Sequence, residues 1–109
     1  MKQYEIRWAT LPAPIGRRPV LLLTRNPAYA YLNKVIVAEV TTTIRAIAQE
    51  VRLGRPEGLK SDSVANLDNV HVIPKSIIGN RIGELAPHRE REMKRALGYV
   101  LGWPELQGL

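Results

Sequence analysis

The chain contains no cysteine and only two histidines, His71 and His88. Without cysteine there can be no disulfide, no thiolate metal ligand and no thiol nucleophile, and nothing marks the chain for an oxidising compartment. The two histidines lie far apart in the sequence and form no pattern such as HExxH, so a histidine-built metal site is not expected. We therefore expect a protein that uses neither a metal ion nor another cofactor.

Long hydrophobic runs and targeting signals are also missing. Residues 1–5 lack the apolar core of a secretory signal, and no apolar run approaches the roughly 20 residues needed to cross a bilayer. The glycine-rich phosphate loops of P-loop and Rossmann nucleotide-binding proteins are absent as well. These absences predict a cytoplasmic protein that has no membrane contact and no nucleotide-binding fingerprint.

Positive charge is in excess. Sixteen Lys and Arg stand against ten Asp and Glu, which gives a formal net charge of +6 and a pI near 10.1. Arg outnumbers Lys eleven to five, and the planar guanidinium group matches the oxygens of phosphate. The length is that of one domain, residues 1–109. The composition favours a single basic domain with an acidic partner, such as nucleic acid or an acidic protein.

Alternating and β-branched segments predict many short strands, separated by turns rich in proline, glycine and asparagine. Only the segment that begins at Pro87 and ends at Gly102 has helical spacing. The predicted strands cover residues 4–9, 19–24, 34–40, 48–53, 63–67, 70–73 and 81–85.

The order of these elements predicts the architecture. Strands that follow one another without intervening helices favour antiparallel pairing, so we expect an α+β protein: a small, twisted antiparallel sheet or half-barrel with a C-terminal helix. The apolar segment 19–24 is expected to lie in the middle of the sheet, buried on both faces. Segment 48–53 is expected to pair with the strand before it, and residues 74–79 to form one helical turn.

Two polar clusters stand at strand ends. Arg17 and Arg18 lie where a short loop meets the most apolar strand, and two fixed cations suit an anionic ligand, although such residues can also be merely solvated. Three threonines, 41–43, end the next strand, where alternation would point Thr41 and Thr43 in the same direction. The preference of threonine for strands is a sufficient alternative explanation of this cluster.

Five short segments stand out by their order and spacing: Arg18-Pro19-Val20-Leu21, Val37-Ala38-Glu39-Val40-Thr41, Asp62-Ser63-Val64-Ala65, Leu67-Asp68-Asn69-Val70 and Ile82-Gly83-Glu84-Leu85. Together they make the chain resemble the MazF/PemK toxins, which are sequence-selective endoribonucleases of bacterial toxin–antitoxin systems. The resemblance covers nearly the whole chain.

This resemblance implies an SH3-like barrel, a homodimer, and metal-independent cleavage of single-stranded RNA in which the ribose 2′-hydroxyl attacks its own phosphate. The products would be a 2′,3′-cyclic phosphate and a 5′-hydroxyl. The family's catalytic arginine falls on Arg18 and its catalytic threonine on Thr41. We expect Arg18 to stabilise the charged phosphorane and Thr41 to bind the scissile phosphate, because a guanidinium is a poor acid or base at neutral pH.

The resemblance also implies an acidic antitoxin whose disordered tail occupies the same basic groove as the RNA. Phosphates are expected at arginines, and base edges at amide and hydroxyl groups. Trp8 is either a core residue of the first strand or a base-stacking residue. The residues expected to contact RNA are Arg17, Thr43, Arg45, Asn69 and His71.

The chain departs from the family pattern in two places. The first loop is short and has no acid, so it offers no carboxylate base. His71 stands where the family commonly has arginine; a lone strand histidine is usually structural, but imidazole can also supply a proton transfer near neutral pH. The missing acid favours an alternative function, a non-catalytic relative that poisons a protein target, as gyrase-poisoning toxins do, or an RNA-binding module. The matching strand positions of Arg18 and Thr41 favour the nuclease.

Overall fold

The computed structural model describes residues 1–109. Its strands are β1 (Glu5–Leu11), β2 (Gly16–Leu22), β3 (Lys34–Thr41), β4 (Glu50–Leu53), β5 (Ser63–Pro74) and β6 (Ile78–Glu84), and its helices are α1 (Glu90–Leu101) and α2 (Pro104–Gln107). All strand pairs are antiparallel, in the order β4-β5-β3-β2-β1-β6. The sheet curls into a half-barrel with the helices at the C-terminus, which confirms the predicted class.

The strands β2 and β3 lie in the middle of the sheet and are buried on both faces. Leu21 and Ala38 belong to the core cluster that includes residues of α1, whereas Val20, Leu22 and Val37 belong to the cluster on the opposite face. Neighbouring residues of a strand point to opposite faces, so an uninterrupted apolar run can serve two cores at once. This confirms the prediction for segment 19–24.

The helical segment begins where proline predicts it. Pro87–Arg89 forms a turn of 3-10 helix, and α1 follows directly. Met93 and Ala96 bury the apolar side of α1 against the sheet, and Gly102 ends the helix in the left-handed conformation with φ of 69°. No helix is long and apolar enough to cross a membrane.

Arg89 anchors the start of α1 to the sheet. Its Nη2 donates to the backbone carbonyl of Arg52 at 2.6 Å, and its guanidinium forms ion pairs with Glu57 at 3.3 Å and Glu92 at 2.7 Å. The hydrogen bond with Glu92, opposed by partial burial, raises the pKa of Arg89 above its ordinary value. These contacts fix the position of α1 relative to β4.

The predicted pairing of segment 48–53 with the preceding strand is wrong. β4 pairs with β5, with Glu50 opposite Asn66 and Leu53 opposite Ser63. Both edges of β3 are already occupied, by β2 and by β5. The outer edge of β5 is therefore where the strand after β3 can join the sheet, and the loop 42–49 carries the chain to that edge.

Segments 63–67 and 70–73 form one strand and not two. Ala38 on β3 pairs with Val70, but the next residue, Glu39, pairs with Asn66, so residues 67–69 form a bulge on β5. The Asn66 side-chain oxygen accepts a hydrogen bond from the Asp68 N–H at 2.9 Å. This local bond turns the backbone at the place where the sequence predicts a break.

The segment after β5 also differs from its prediction. Residues 74–79 contain a single 3-10 turn, Lys75–Ile77, and β6 begins immediately after it. β6 is therefore longer than the predicted strand 81–85. It pairs with β1 through a ladder that shifts register twice, so β6 forms the edge of the sheet opposite β4.

Two glycines let β6 pass closely against the 3-10 turn Arg55–Glu57. A Cβ at Gly83 would overlap the backbone carbonyl of Glu57, and a Cβ at Gly58 would overlap the backbone carbonyl of Ile82. Gly58 also has φ of 93°, a conformation that favours glycine. Because the neighbours are backbone atoms, no side-chain rotation can relieve the overlap.

Gly83→Ala is predicted to lower the free energy of unfolding by about 3 kcal/mol, the upper end of the usual cost of overpacking. Urea denaturation followed by circular dichroism measures this loss. Gly79→Ala, on the same strand, is the matched control, because a Cβ there would lie 3.6 Å from its nearest neighbour. Equal stability losses in the two variants would contradict the prediction.

Glu5 is a buried carboxylate that ties β1 to β6. It accepts hydrogen bonds from Arg7 Nε at 2.9 Å, from Arg81 Nε at 3.1 Å and from the Lys2 backbone N–H at 3.1 Å. Burial by itself raises the pKa of Glu5. The hydrogen bonds from Arg7 and Lys2, together with the charge of Arg7, outweigh burial and hold this pKa below its ordinary value.

This depressed pKa predicts an acid-sensitive contribution of Glu5 to stability. A carboxyl with a lowered folded-state pKa stabilises the fold above its unfolded pKa, about 4.3 for glutamate, and the contribution is lost as the pH falls through the folded-state value. We expect Glu5→Gln to show a smaller fall in thermal midpoint on acidification than the wild type. Glu105→Gln, which removes an exposed carboxyl, should keep the wild-type pH dependence. Identical pH dependence in Glu5→Gln and the wild type would refute this assignment.

Candidate active site

The ladder between β2 and β3 ends at Val20, which lies opposite Glu39. The residue before Val20 is Pro19, which has no N–H to donate and cannot continue the ladder. The start of β2 remains bonded to β1, where Arg18 lies opposite Ala9. The beginning of β2 and the end of β3 are therefore unpaired with each other.

Arg18 and Thr41 lie on the same face of the sheet, on either side of this unpaired region. Alternation puts Arg18 on the face of Val20 and Thr41 on the face of Glu39, and Val20 and Glu39 are directly opposite each other. The register of the two strands, continued beyond the ladder, places Arg18 opposite Thr41. The structure thus places the two residues predicted to be catalytic on one face of the sheet, on neighbouring strands.

The carboxylate of Glu39 stands between Arg18 and His71. Its Oε1 lies 3.2 Å from Arg18 Nη1, and its Oε2 lies 2.5 Å from His71 Nε2. His71, on β5, lies opposite Val37 of β3. Val37 and Glu39 are two residues apart on β3, so His71 is on the same face of the sheet as Glu39. The Glu39 side chain is only 11% exposed. A carboxylate is costly to bury without partners, and here each oxygen has one.

Glu39 was not among the residues predicted from the sequence. The signal for it is present, because Glu39 is the one charged residue within the apolar run 35–40 of a predicted strand. A carboxylate on a buried strand needs a cationic or hydrogen-bonding partner. The first loop indeed contains no acid, but β3 brings one to Arg18 from the other side.

Thr41 is the last residue of β3 and is half-buried, opposite Val64. Its Oγ1 accepts a hydrogen bond from the Thr43 backbone N–H at 3.1 Å, which leaves its own O–H free to donate. The predicted common orientation of Thr41 and Thr43 does not follow, because the strand ends at Thr41. Thr43 lies exposed in the loop 42–49.

Arg45 lies in the same loop and is exposed. The backbone N–H groups of Arg45 and Ala46 both donate to Glu50 Oε1, at 3.0 Å each. Glu50 thereby fixes the loop to the start of β4. The Arg45 guanidinium forms no ion pair within the chain, so its charge is available to a partner.

Arg17 and Arg18 point to opposite faces of β2. Arg17 is exposed, lies opposite Thr10 on β1, and stacks over Trp8 with its guanidinium carbon 4.1 Å from the ring centroid. Trp8 is half-buried and belongs to neither core cluster, so its interpretation as a core residue is wrong. The structure does not bring Arg17 to the face that carries Arg18.

Asn69 lies in the bulge of β5 and is exposed. The Asn69 side chain is therefore accessible, and it forms no hydrogen bond with another residue of the chain.

Asn66 is a second polar residue that sequence reasoning missed. It is buried and lies opposite Glu39, so the face around Glu39 is more polar than the strand pattern predicts.

These side chains have complementary chemistry. A guanidinium can stabilise negative charge on a phosphoryl oxygen, and a hydroxyl can donate a hydrogen bond to another. An imidazole that bonds to a carboxylate can accept or release a proton. No three His, Asp or Glu side chains lie close enough together to hold a metal ion.

Residues 2–101 match the model of the PemK-like, MazF-like toxin of type II toxin–antitoxin systems. The chain is 40% identical over 88 residues to endoribonuclease MazF3 of Mycobacterium tuberculosis, covering 79% of this chain and 85% of that protein. It is 37% identical over 98 residues to probable endoribonuclease MazF2 of the same organism, covering 89% of this chain and 94% of that protein.

Solved structures are similar as well. The Mycobacterium tuberculosis toxin MazF-mt6 superposes with a TM-score of 0.85 and 37% identity, covering 90% of this chain and 96% of that chain. An endoribonuclease from a mycobacterial species, solved in complex with its cognate antitoxin, superposes with a TM-score of 0.82 and 26% identity, covering 95% and 97% of the two chains. With its half-barrel fold and this similarity along most of its length, the chain belongs to the PemK-like, MazF-like toxin family of type II toxin–antitoxin systems.

Proposed function

We propose that residues 1–109 act as one toxin domain, an endoribonuclease that cleaves single-stranded RNA in the cytoplasm without a metal ion. The observation that carries this proposal is the position of Arg18 and Thr41 on one face of the sheet, beside the unpaired region between β2 and β3. The endoribonuclease names of its relatives MazF3 and MazF2 support the same activity.

The proposed reaction is an in-line attack of a ribose 2′-oxygen on the adjacent phosphorus. The O2′–P bond forms, the P–O5′ bond breaks, and the products carry a 2′,3′-cyclic phosphate and a 5′-hydroxyl. Negative charge develops on the phosphoryl oxygens, and preorganised donors lower the barrier to this step. Arg18 stabilises that charge, and the free O–H of Thr41 binds a phosphoryl oxygen.

Arg18 is suited to this role because its charge is fixed and its side chain is held. Nη1 bonds to Glu39, and Nη2 has no partner within the chain, while the side chain is 32% exposed. One edge of the guanidinium is thus anchored and the other can meet a phosphate. Pro19 disfavours the helical region for the residue before it, Arg18, and so favours extended backbone there, which helps preorganise the group.

The missing acid in the first loop favours a non-catalytic relative. Glu39 weakens that alternative, because it supplies a carboxylate to the same face from β3. The exposed residues Arg45, Thr43 and Asn69 are proposed to contact flanking nucleotides. Arg17 with Trp8 offers a separate surface on the opposite face, where a guanidinium stacks on an aromatic ring.

We further propose that the toxin acts as a homodimer and is neutralised by an acidic antitoxin. The net charge of +6 suits an acidic partner, and a similar mycobacterial endoribonuclease was solved with its cognate antitoxin. An antitoxin segment with several acids would compete with RNA phosphates for Arg18. Size-exclusion chromatography with light scattering measures the oligomeric state.

Removal of the Arg18 guanidinium or of the Thr41 hydroxyl is predicted to abolish most cleavage. Purified wild type is incubated with a mixed-sequence single-stranded RNA in EDTA, and the ends of the fragments are mapped. We expect Arg18→Ala and Thr41→Val each to lower the cleavage rate about 100-fold or more, as loss of a transition-state donor usually does.

Arg91→Ala is the matched control, because Arg91 is an exposed arginine on α1 without an ion pair, and its rate should equal that of the wild type. Absence of cleavage by the wild type, or cleavage that requires an added metal ion, would overturn the proposed function. Cleavage by Arg18→Ala at the wild-type rate would overturn the role of Arg18.

A further inference from the structure

Glu39 and His71 are in contact on the active-site face, and neither the role of Arg18 nor that of Thr41 requires this contact. Glu39 lies on a strand whose inward positions are otherwise apolar, and an apolar residue there would cost nothing to bury. The carboxylate instead holds two partners on different strands, Arg18 on β2 and His71 on β5. An arrangement with Arg18 alone would already neutralise its charge, so the bond to His71 calls for a separate explanation.

The geometry also defines which nitrogen of His71 can act on a substrate. Nε2 lies 2.5 Å from Glu39 Oε2, so in the neutral ring Nε2 carries the proton and donates it to the carboxylate. Nδ1 then holds a free lone pair. The His71 side chain is 29% exposed, so the ring is fixed at one end and reaches solvent.

We propose that Glu39 is a positioning residue that orients His71 as the general base of RNA cleavage. The proposal rests on the endoribonuclease function proposed above. Glu39 holds the ring in the tautomer with a free Nδ1 and stabilises the imidazolium that forms when Nδ1 accepts a proton. Arg18 bonds to the other oxygen of the carboxylate and so helps hold Glu39 in its direction toward the ring.

The only further reactant that the cleavage step needs is water. Nδ1 of His71 takes the proton of the 2′-hydroxyl as the O2′–P bond forms and the P–O5′ bond breaks. The departing 5′-oxygen takes a proton from water, and the hydroxide left behind removes the proton from Nδ1. His71 and Glu39 thus return to their starting protonation, while Arg18 stabilises the phosphoryl oxygens and transfers no proton.

Few charged groups face the imidazole. From β3 the facing group is the Glu39 carboxylate, and from β2 it is the guanidinium of Arg18, which is bonded to that carboxylate. On β5 itself the nearest acid along the chain is Asp68, which accepts a hydrogen bond from Gln49 Nε2 at 2.8 Å. Removal of the Glu39 charge therefore changes the ring's main electrostatic partner.

The test compares Glu39→Gln, His71→Ala and the double variant with the wild type in the RNA cleavage assay. We expect His71→Ala to lower kcat about 100-fold, as loss of a general base does, and Glu39→Gln to lower it about tenfold with KM unchanged. The double variant should be no slower than His71→Ala, because the Gln amide oxygen can still accept the hydrogen bond from Arg18, and the remaining effect of Glu39 passes through His71.

The pH dependence separates this role from a merely structural one. The general base must be neutral, so kcat/KM rises with pH along an acid limb. This limb should be missing from the residual activity of His71→Ala, which removes the proposed base, and should be present in Glu39→Gln. Glu84→Gln, which removes another ion-paired carboxylate of the sheet, and His88→Gln, which removes the other histidine, should keep the wild-type kcat and limb.

If Glu39→Gln does not fold, the proposal can still be tested by a measurement on the wild type. The ring-nitrogen chemical shifts of His71, assigned by comparison with His88→Gln, report its tautomer, and we expect the proton on Nε2. A proton on Nδ1 in the neutral ring would overturn the proposal. So would wild-type kcat in a folded Glu39→Gln, or an unchanged acid limb in His71→Ala. Those results, obtained with an active wild type, leave the endoribonuclease function intact, whereas an inactive wild type refutes that function itself.

Discussion

Pro19 cannot donate to a β-ladder, and the rest of the active-site face depends on that constraint. Because pairing between β2 and β3 ends at Val20, the residue before Pro19 is bonded to β1 alone. Arg18 can therefore contact Glu39 on β3 through its side chain while its backbone stays paired with β1. The two adjacent arginines have different surroundings, because neighbouring residues of a strand point to opposite faces. Arg17 lies on the face opposite to Arg18, where it stacks on Trp8.

The second constraint is the cost of burying the Glu39 carboxylate. It is met by a guanidinium from β2 and an imidazole from β5, so one buried charge links three strands. The bulge at residues 67–69 contributes to this arrangement, because it shifts the register between the His71 half of β5 and the half that begins at Asn66. The contacts of Glu39 with Arg18 and His71 therefore have two effects. They compensate the cost of burying the carboxylate, and they orient two groups that can act on a phosphate.

Local sequence patterns predicted the positions of the strands and of the helix better than they predicted which strands pair with each other. The apolar run 19–24, the β-branched segment 34–40 and the proline at position 87 each carry a signal within a few residues, and the structure has strands and a helix there. The pairing of β4 was wrong because it depends on which edges of β3 are free, and that is decided by strands far along the chain. The break predicted at Asp68-Asn69 proved to be a bulge, since a turn-forming sequence can also bend a strand that remains paired.

The sequence by itself determined the class of fold, the family through five short segments, and the candidates Arg18, Thr41 and His71, because residue type and strand alternation are local properties. It could also have indicated that Glu39 needs a partner, since a lone charge in an apolar strand is costly to bury. Only the tertiary structure decided which partners it has. The neighbours of Glu39 lie 21 and 32 residues away in sequence, and their meeting depends on register, on the bulge and on the end of the ladder at Pro19.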